Sequence, residues 1–334
     1  MRPEKEKPMS KILNFIRNIS PFNNRTEMPK ILYVIKVILF FWVCKFGSEL
    51  IGEALVIAVH FACGMNPLEG EMFDAKTIML ISYLGYSVLI AVIMLFWKLF
   101  QKKSLKDLGF TGNPVSYLVG MAAGVVLVMV SVGATVLTGT IRFNGVFGNI
   151  DTKMVAAMFL CFMLQGAMEE ILCRGVVHQL LIKKTSLPVT VGVSAALFTI
   201  PHLSSMLGGS PLIVAVGVVN LILISVIFSL LTVRFRSIWA ACGLHSIWNY
   251  ILYSILGLNM SGNDEIVAAV FDMQSTGSNI LNGGEYGIEA SILTTAVLAT
   301  GLVLICAFSG REIKKLNLRV RDLTFIVPPP LSCG

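Results

Sequence analysis

The sequence predicts an all-α, polytopic membrane protein with about eight transmembrane helices and both termini in the cytoplasm. Three observations predict it. Of the 334 residues, 55% are hydrophobic and only 13% are charged, where soluble domains carry about 25% charged residues. The mean hydropathy is +0.80, and the apolar residues come in runs of roughly 20, the length that crosses a bilayer core as a helix. The basic residues are sorted to one side of those runs, which sets the orientation.

Residues 1–30 are a basic, polar N-terminal segment. Without a short apolar core they predict no cleavable signal peptide. The stretch SKILNFIRNI within them is weakly amphipathic and is expected on the inner membrane surface. The spans are then expected at about 31–55, 77–98, 115–138, 153–182, 187–206, 211–233, 237–257 and 290–310. Together they form one transmembrane domain over 31–310, followed by a cytoplasmic tail over 311–334. The first apolar run continues to about residue 63 and carries Lys45, Glu49 and Glu53 four apart on one helical face.

Reading that first run as one crossing puts 20 of the 26 Lys and Arg in the inner segments. The outer loops hold three, Lys76, Arg142 and Lys153, and the long loop 258–289 holds none, although it carries Asp264, Glu265, Asp272, Glu285 and Glu289. Splitting the run would invert this pattern, against the positive-inside rule. The net charge of +7 is thus explained by topology, and no nucleic-acid partner is expected.

The seven cysteines, Cys44, Cys63, Cys161, Cys173, Cys242, Cys306 and Cys333, form no C-x-x-C pair and read as small packing residues. The terminal PPPLSCG places Cys333 second from last, not fourth as prenylation requires. KKSLKDLGF, after the second span, is expected at the inner interface. GMAAG, residues 120–124, has the G-x-x-x-G spacing that lets helices approach closely and is expected to serve packing.

Ionisable residues inside spans cost on the order of 2.5–3.5 kcal/mol each on insertion scales, so they mark function by default. The fourth span carries Glu169, Glu170, Arg174 and His178, the fifth His202 and the seventh His245 and Asn249. Glu170 and Arg174 are four apart with the acid first, the better orientation for a helical ion pair. Glu169 lies about 100° round the helix and is free to face another neighbour. His245 and Asn249, also four apart, project from one face, and Pro201 should bend or end the fifth span beside His202.

A carboxylate, a histidine and a donor pair on three helices suit peptide hydrolysis. Glu169 with His202 would deprotonate a water, and His245 with Asn249 would stabilise the oxyanion. Each polar residue taken singly is equally a helix-to-helix hydrogen bond, and the acids alone suit a proton or cation relay. Such a relay in an ion-coupled transporter would call for inverted repeats or paired broken helices, and the sequence has neither. Zinc is the minor alternative cofactor to none: H-E-x-x-H is absent and no two histidines are four apart.

Three stretches in order, EEILCR, FTIPH and HSIWN, match E-E-x-x-x-R, F-x-x-x-H and H-x-x-x-N. The sequence resembles the CPBP (Abi) intramembrane proteases, which include the type II CAAX prenyl endopeptidases, strongly over about 150–257. The resemblance implies a glutamate-dependent endopeptidase of a kind once classed with the metalloproteases. Glu169 and His202 would activate water, His245 and Asn249 would form the oxyanion hole, and Glu170 and Arg174 would support them. His178 lies outside the motifs and is expected to partner Arg174 or to sit at the interface. The loop LNGGEYGIEAS resembles bacterial members, implying a multi-pass protein of a bacterial cytoplasmic membrane.

The expected substrate is a peptide or a membrane protein, cleaved near the cytoplasmic or membrane face. Secreted signalling peptides, export leaders and bacteriocin-related peptides fit a bacterial cell better than a prenylated tail. The competing expectation from another class is a non-catalytic scaffold that regulates a membrane protein partner and keeps the motif residues as structural inheritance.

Overall fold

The computed structural model describes residues 8–111, 113–263 and 266–325, with side chains described over 12–308. Cys333 and the PPPLSCG terminus lie outside the described residues, as do Asp264, Glu265 and the side chains of the tail.

Short α1, Pro8–Ile19, precedes α2, Lys30–Ala62, a single 33-residue helix. At 1.5 Å per residue it is about 50 Å long, so the long first apolar run is one crossing that overshoots the bilayer core. There follow α3, Ala75–Gln101, α4, Val115–Leu137, and α5, Thr152–Leu181. The remaining helices are α6, Leu187–His202, α7, Pro211–Phe235, α8, Trp239–Tyr250, and α9, Ile292–Phe325. Each of the eight expected spans falls on one of α2 to α9. Among the described residues six are at once long and apolar enough to cross a membrane. α8 reaches 17 residues only with its wider π-helical turn Ile251–Ile255, and the apolar part of α9 is Ile292–Phe308. The chain is an all-α, multi-pass membrane protein.

Local chemistry sets the helix ends. Asp74 accepts from the Thr77 backbone N–H at 3.2 Å and starts α3, and Asp151 accepts from the Met154 N–H at 3.0 Å and starts α5. α7 opens on Pro211, where a missing N–H costs nothing. α6 ends one residue after Pro201 and tightens into the turn Leu203–Met206, as a proline inside a helix requires. α5 departs from the expected regular helix: over Ile171–His178, directly after the paired acids, it is π-helical. Such wide turns concentrate at functional sites.

α8 is the central helix, with every residue from Ala240 to Asn249 buried. It packs on α4, α5 and α7. Its approach to α4 is backbone on backbone. A Cβ on Gly243 would lie 2.0 Å from the Tyr117 carbonyl oxygen, and one on Gly120 1.9 Å from that of Ala240. On Gly124 it would meet the Leu244 oxygen at 2.9 Å. The GMAAG spacing is a packing device, as expected. α2 and α3 pair against the other side of α5, and α9 closes against α7 and α4.

At the end of the bundle carrying the basic segments, residues 102–111 fold back over the helix ends. Trp97 Nε1 donates to the Ser104 carbonyl at 2.9 Å, the Ile238 N–H donates to the Gly109 carbonyl at 3.1 Å, and Thr111 Oγ1 donates to the Arg236 carbonyl at 2.6 Å. Leu108 is driven fully into the core beneath Gly175. KKSLKDLGF is therefore docked as a plug over the helix ends. At the opposite end Lys76 donates to Asp151 at 2.9 Å and holds that carboxyl below its ordinary range. There a small antiparallel pair, β1 Ile141–Val146 with β2 Phe271–Ser275, which the sequence did not predict, ties together the loops before α5 and before α9.

Candidate functional site

The three motifs converge. α5 delivers Glu169, Glu170 and Arg174, α6 delivers His202, and α8 delivers His245 and Asn249. Two layers form, one fully buried and one at a cavity.

The buried layer is the ion pair. Arg174 Nη1 donates to Glu170 Oε1 at 3.2 Å, and neither side chain is accessible. The other terminal nitrogen, Nη2, donates to the Ser225 carbonyl at 2.8 Å and to its hydroxyl at 2.5 Å. The guanidinium also lies 4.9 Å from the ring centres of both Phe198 and Phe228, a cation–π sandwich in a dry setting. Phe198 is the aromatic position of FTIPH, and its ring also meets those of His202 and His245 at 4.9 and 5.9 Å. The motif phenylalanine is thus the plate that separates the arginine from the histidines.

The cavity layer is built around Glu169. Its Oε2 lies 3.8 Å from His202 Nε2 and 3.9 Å from His245 Nε2. Both histidines have their other nitrogen occupied. His202 Nδ1 donates to the Phe198 carbonyl at 2.7 Å, and His245 Nδ1 donates to Glu170 Oε1 at 3.0 Å. These acceptors fix the proton of each neutral ring on Nδ1 and leave Nε2 as a lone pair facing Glu169. Two acceptors 3.8 Å apart form no direct hydrogen bond, but one water donating a hydrogen to each spans that distance.

Glu169 Oε1 accepts from Gln165 Nε2 at 3.2 Å, and Gln165 Oε1 accepts from Asn249 Nδ2 at 3.0 Å. Asn249 thus keeps one amide hydrogen free. Gln165, one helical turn before Glu169, belongs to no motif, and only the α5–α8 contact reveals its role. The same holds for Ser225 and Phe228, the latter stacked on His245 at 5.2 Å. His178 differs from expectation: it is buried within the π-helical turn, and among the described residues neither ring nitrogen has a hydrogen-bond partner. It is neither a partner of Arg174 by hydrogen bond nor interfacial, because the wider turn rotates it into the core.

Two cavities meet at Phe198 and His202, which line both. The larger, about 320 Å³, is bounded by Phe41, Lys45 and Glu49 of α2, Tyr86 of α3, Met168, Glu169 and Cys173 of α5, and Ser204 and Ser205 after α6. Lys45 and Glu49 are ion-paired across its wall. The smaller, about 40 Å³, has His245, Asn249, Gln165, Asn220, Ser261 and Glu289 in its wall.

Glu289 comes from the loop before α9 and was not singled out by sequence. Its Oε2 accepts from the Ser261 N–H at 2.6 Å and hydroxyl at 2.8 Å, and Trp248 Nε1 donates to Oε1 at 3.3 Å. Burial raises this carboxyl above its ordinary range, against the lowering effect of the Ser261 hydrogen bonds.

A zinc ion at this centre would draw on Glu169 Oε2 and the two Nε2 atoms. Their separations of 3.8 and 3.9 Å exceed the roughly 3.4 Å between tetrahedral ligands at about 2.1 Å from zinc. Among the described residues no group of three or more His, Cys, Asp or Glu side chains is gathered closely enough to hold a metal. The donors fit a bridging water better than a zinc ion.

Residues 151–251 match the family model described as type II CAAX prenyl endopeptidase Rce1-like. No curated protein and no solved structure matches the chain. The matched stretch begins at the Asp151 cap of α5 and ends just past Asn249, so it contains all three motifs and the whole arrangement around Glu169. Over this stretch, less than half of the chain, the sequence is similar to the type II CAAX prenyl endopeptidase Rce1-like family.

Proposed function

We propose that this protein is an intramembrane endopeptidase that hydrolyses a peptide bond of a membrane-associated polypeptide with a water activated by Glu169 and His202. The observation that carries the reading is the position of Glu169 Oε2 between two imidazole Nε2 atoms whose tautomers are fixed from behind.

In this reading the water donates its hydrogens to Glu169 and to His202 Nε2. Glu169 takes a proton as the water oxygen attacks the carbonyl carbon, a transfer that positioned carboxylates perform. The developing oxyanion is met by the free Asn249 N–H and by His245. To donate from Nε2, His245 would carry a proton on both ring nitrogens, with its Nδ1–H still held by Glu170 Oε1. The proton held by Glu169 then passes to the leaving nitrogen as the C–N bond breaks, and the carboxylate is restored. Glu170 and Arg174 touch no reacting atom; they hold His245 in place. No metal enters this cycle.

The test compares polypeptide termini in membranes from cells producing wild type or Glu169→Gln, a substitution that keeps shape and removes the base. A terminus present only with wild type, and still formed after zinc chelation, is the expected outcome. Matching profiles, with a cellular phenotype that only full deletion changes, would instead favour the scaffold role.

A further inference from the structure

We propose that Glu49 is a specificity-determining residue of this site: it receives the charged end of a lysine or arginine side chain on the polypeptide substrate. The proposal rests on the peptidase reading above and names what that peptidase selects.

The Lys45–Glu49 ion pair takes no part in the arrangement around Glu169, yet it stands in the wall of the same cavity. Phe41, Lys45, Ser48 and Glu49 recur at helical spacing on the one face of α2 that lines it, while Phe46 and Leu50 are exposed on the far side. Lys45 lies 15 residues after Lys30 and 17 before Ala62, about 22 and 26 Å from the two helix ends. That is too deep for a lysine to snorkel to water along the lipid face, and an ionisable pair so placed marks function by default. Lys36 shows what a structural lysine of this helix makes: its ammonium is held by Asn23 Oδ1 at 2.6 Å, the Arg25 carbonyl at 2.9 Å and the Asn18 carbonyl at 3.4 Å. Lys45 Nζ has the single acceptor Glu49 among the described residues.

Charge, hydrogen bonding and shape then point to the same occupant. The charged side chains in the cavity wall are Lys45, Glu49 and Glu169, one positive and two negative, with His202 neutral. A cation makes the occupied cavity neutral and an anion makes it doubly negative, in a setting that screens charge poorly. Glu49 is also the more accessible partner, 36% against 19% for Lys45. Its Oε1 accepts from Lys45, and its Oε2 has no hydrogen-bond partner among the described residues. Lys45 therefore positions the carboxylate and leaves one oxygen for the occupant. The wall nearby is apolar at Phe41, Met168, Leu172 and Leu197, which suits the methylene stem of a long basic side chain. The cavity, about 320 Å³, exceeds the roughly 30 Å³ share of one water about tenfold, which is room for such a side chain.

The test uses full-length protein in phosphatidylcholine vesicles and three apolar peptides, acetylated and amidated, that differ only in a central lysine, norleucine or glutamate. A fourth peptide carries the norleucine and a free amino terminus. Binding is read by vesicle sedimentation with protein-free vesicles subtracted, and cleavage by mass spectrometry of the same samples. Glu53→Gln, exposed one turn beyond Glu49 on α2 and outside the cavity wall, is the control. The double variant Lys45→Met/Glu49→Gln leaves no unpaired charge in the wall and replaces Glu49→Gln if that variant does not fold.

The lysine peptide is expected to bind wild type and Glu53→Gln at least tenfold more tightly than the norleucine and glutamate peptides. In Glu49→Gln, or in the double variant, that preference is expected to fall below twofold. The proposal is overturned if the peptides bind alike, if the glutamate peptide binds best, or if the lysine preference survives the loss of Glu49. It is also overturned if the free-amine peptide binds as tightly as the lysine peptide, since the site would then take an amino terminus and not a side chain. Binding needs no cleavage, so selective binding of the lysine peptide without any Glu169-dependent cut would refute the peptidase reading and leave the binding result standing. Glu169-dependent cleavage with no lysine preference would overturn the proposal alone.

Discussion

Gly243 offers the sharpest test of how the bundle positions its chemistry. An alanine there would place Cβ 2.0 Å from the Tyr117 carbonyl oxygen, 2.9 Å from its carbon and 3.1 Å from the Met121 nitrogen. All three are backbone atoms of α4, so no side chain can turn aside. Real Cβ contacts do not fall below 3.0 Å, and the close-packed interior has no slack to absorb the difference, so the helices must part by about 1 Å.

His245 follows two residues later on α8, and its Nδ1 is held by Glu170 Oε1 at 3.0 Å. A displacement of about 1 Å opens that contact beyond hydrogen-bonding range and moves Nε2 relative to Glu169. Misplacement on this scale costs on the order of 10²-fold in rate, and overpacking costs about 1–3 kcal/mol of stability. The assay is the rate of Glu169-dependent product formation in proteoliposomes, read with thermal unfolding of the same preparation. Gly133→Ala, also in α4 but with open space around the added Cβ, should match wild type in both. A Gly243→Ala protein within twofold of wild-type rate and with an unshifted Tm would refute the reasoning.

Two further outcomes follow from the buried layer and the loop carboxylate. Arg174→Lys keeps the charge but cannot reach Glu170 and Ser225 together. It should destabilise by about 3 kcal/mol, within the range for a broken buried pair, whereas Ser225→Ala, which spares the carbonyl contact, should cost about 1 kcal/mol in thermal unfolding. Glu289 keeps its proton to higher pH when folded than when unfolded, because burial raises its carboxyl. Its contribution to stability is therefore present below the ordinary carboxylate range and lost as pH rises through the raised value. Glu289→Gln should flatten the decline in Tm over that window, and an unchanged slope would show that Glu289 does not titrate there.

The helical layout was legible because bilayer crossing imposes a length and a composition on each span, and every expected span coincides with a helix. The one-crossing reading of the first run rested on charge and corresponds to the unbroken α2. The residues singled out on three spans do meet, since their own helical spacings, four apart on α5 and on α8, already put them on shared faces. What stayed hidden depends on which helices touch. Gln165 gains meaning only from Asn249, Ser225 only from Arg174, and Glu289 only because the loop before α9 folds inward onto Ser261 and Trp248. The π-helical turn of α5 was illegible for another reason: it preserves composition and changes only hydrogen-bond register, so His178 could not be assigned to a face.

That wide turn also imposes a counting rule on α5. Regular α-helix would need one residue fewer to cover the same rise, so Ile171–His178 acts as an insertion lodged inside a membrane crossing. Deleting one residue there would restore uniform bonding, yet would turn everything beyond it by about 100° relative to Glu169 and Glu170. Val176, Val177, Leu180 and Leu181, all buried, would then face new neighbours. A chimera that joins the outer half of this helix to another protein's inner half must therefore conserve residue number as well as hydrophobicity.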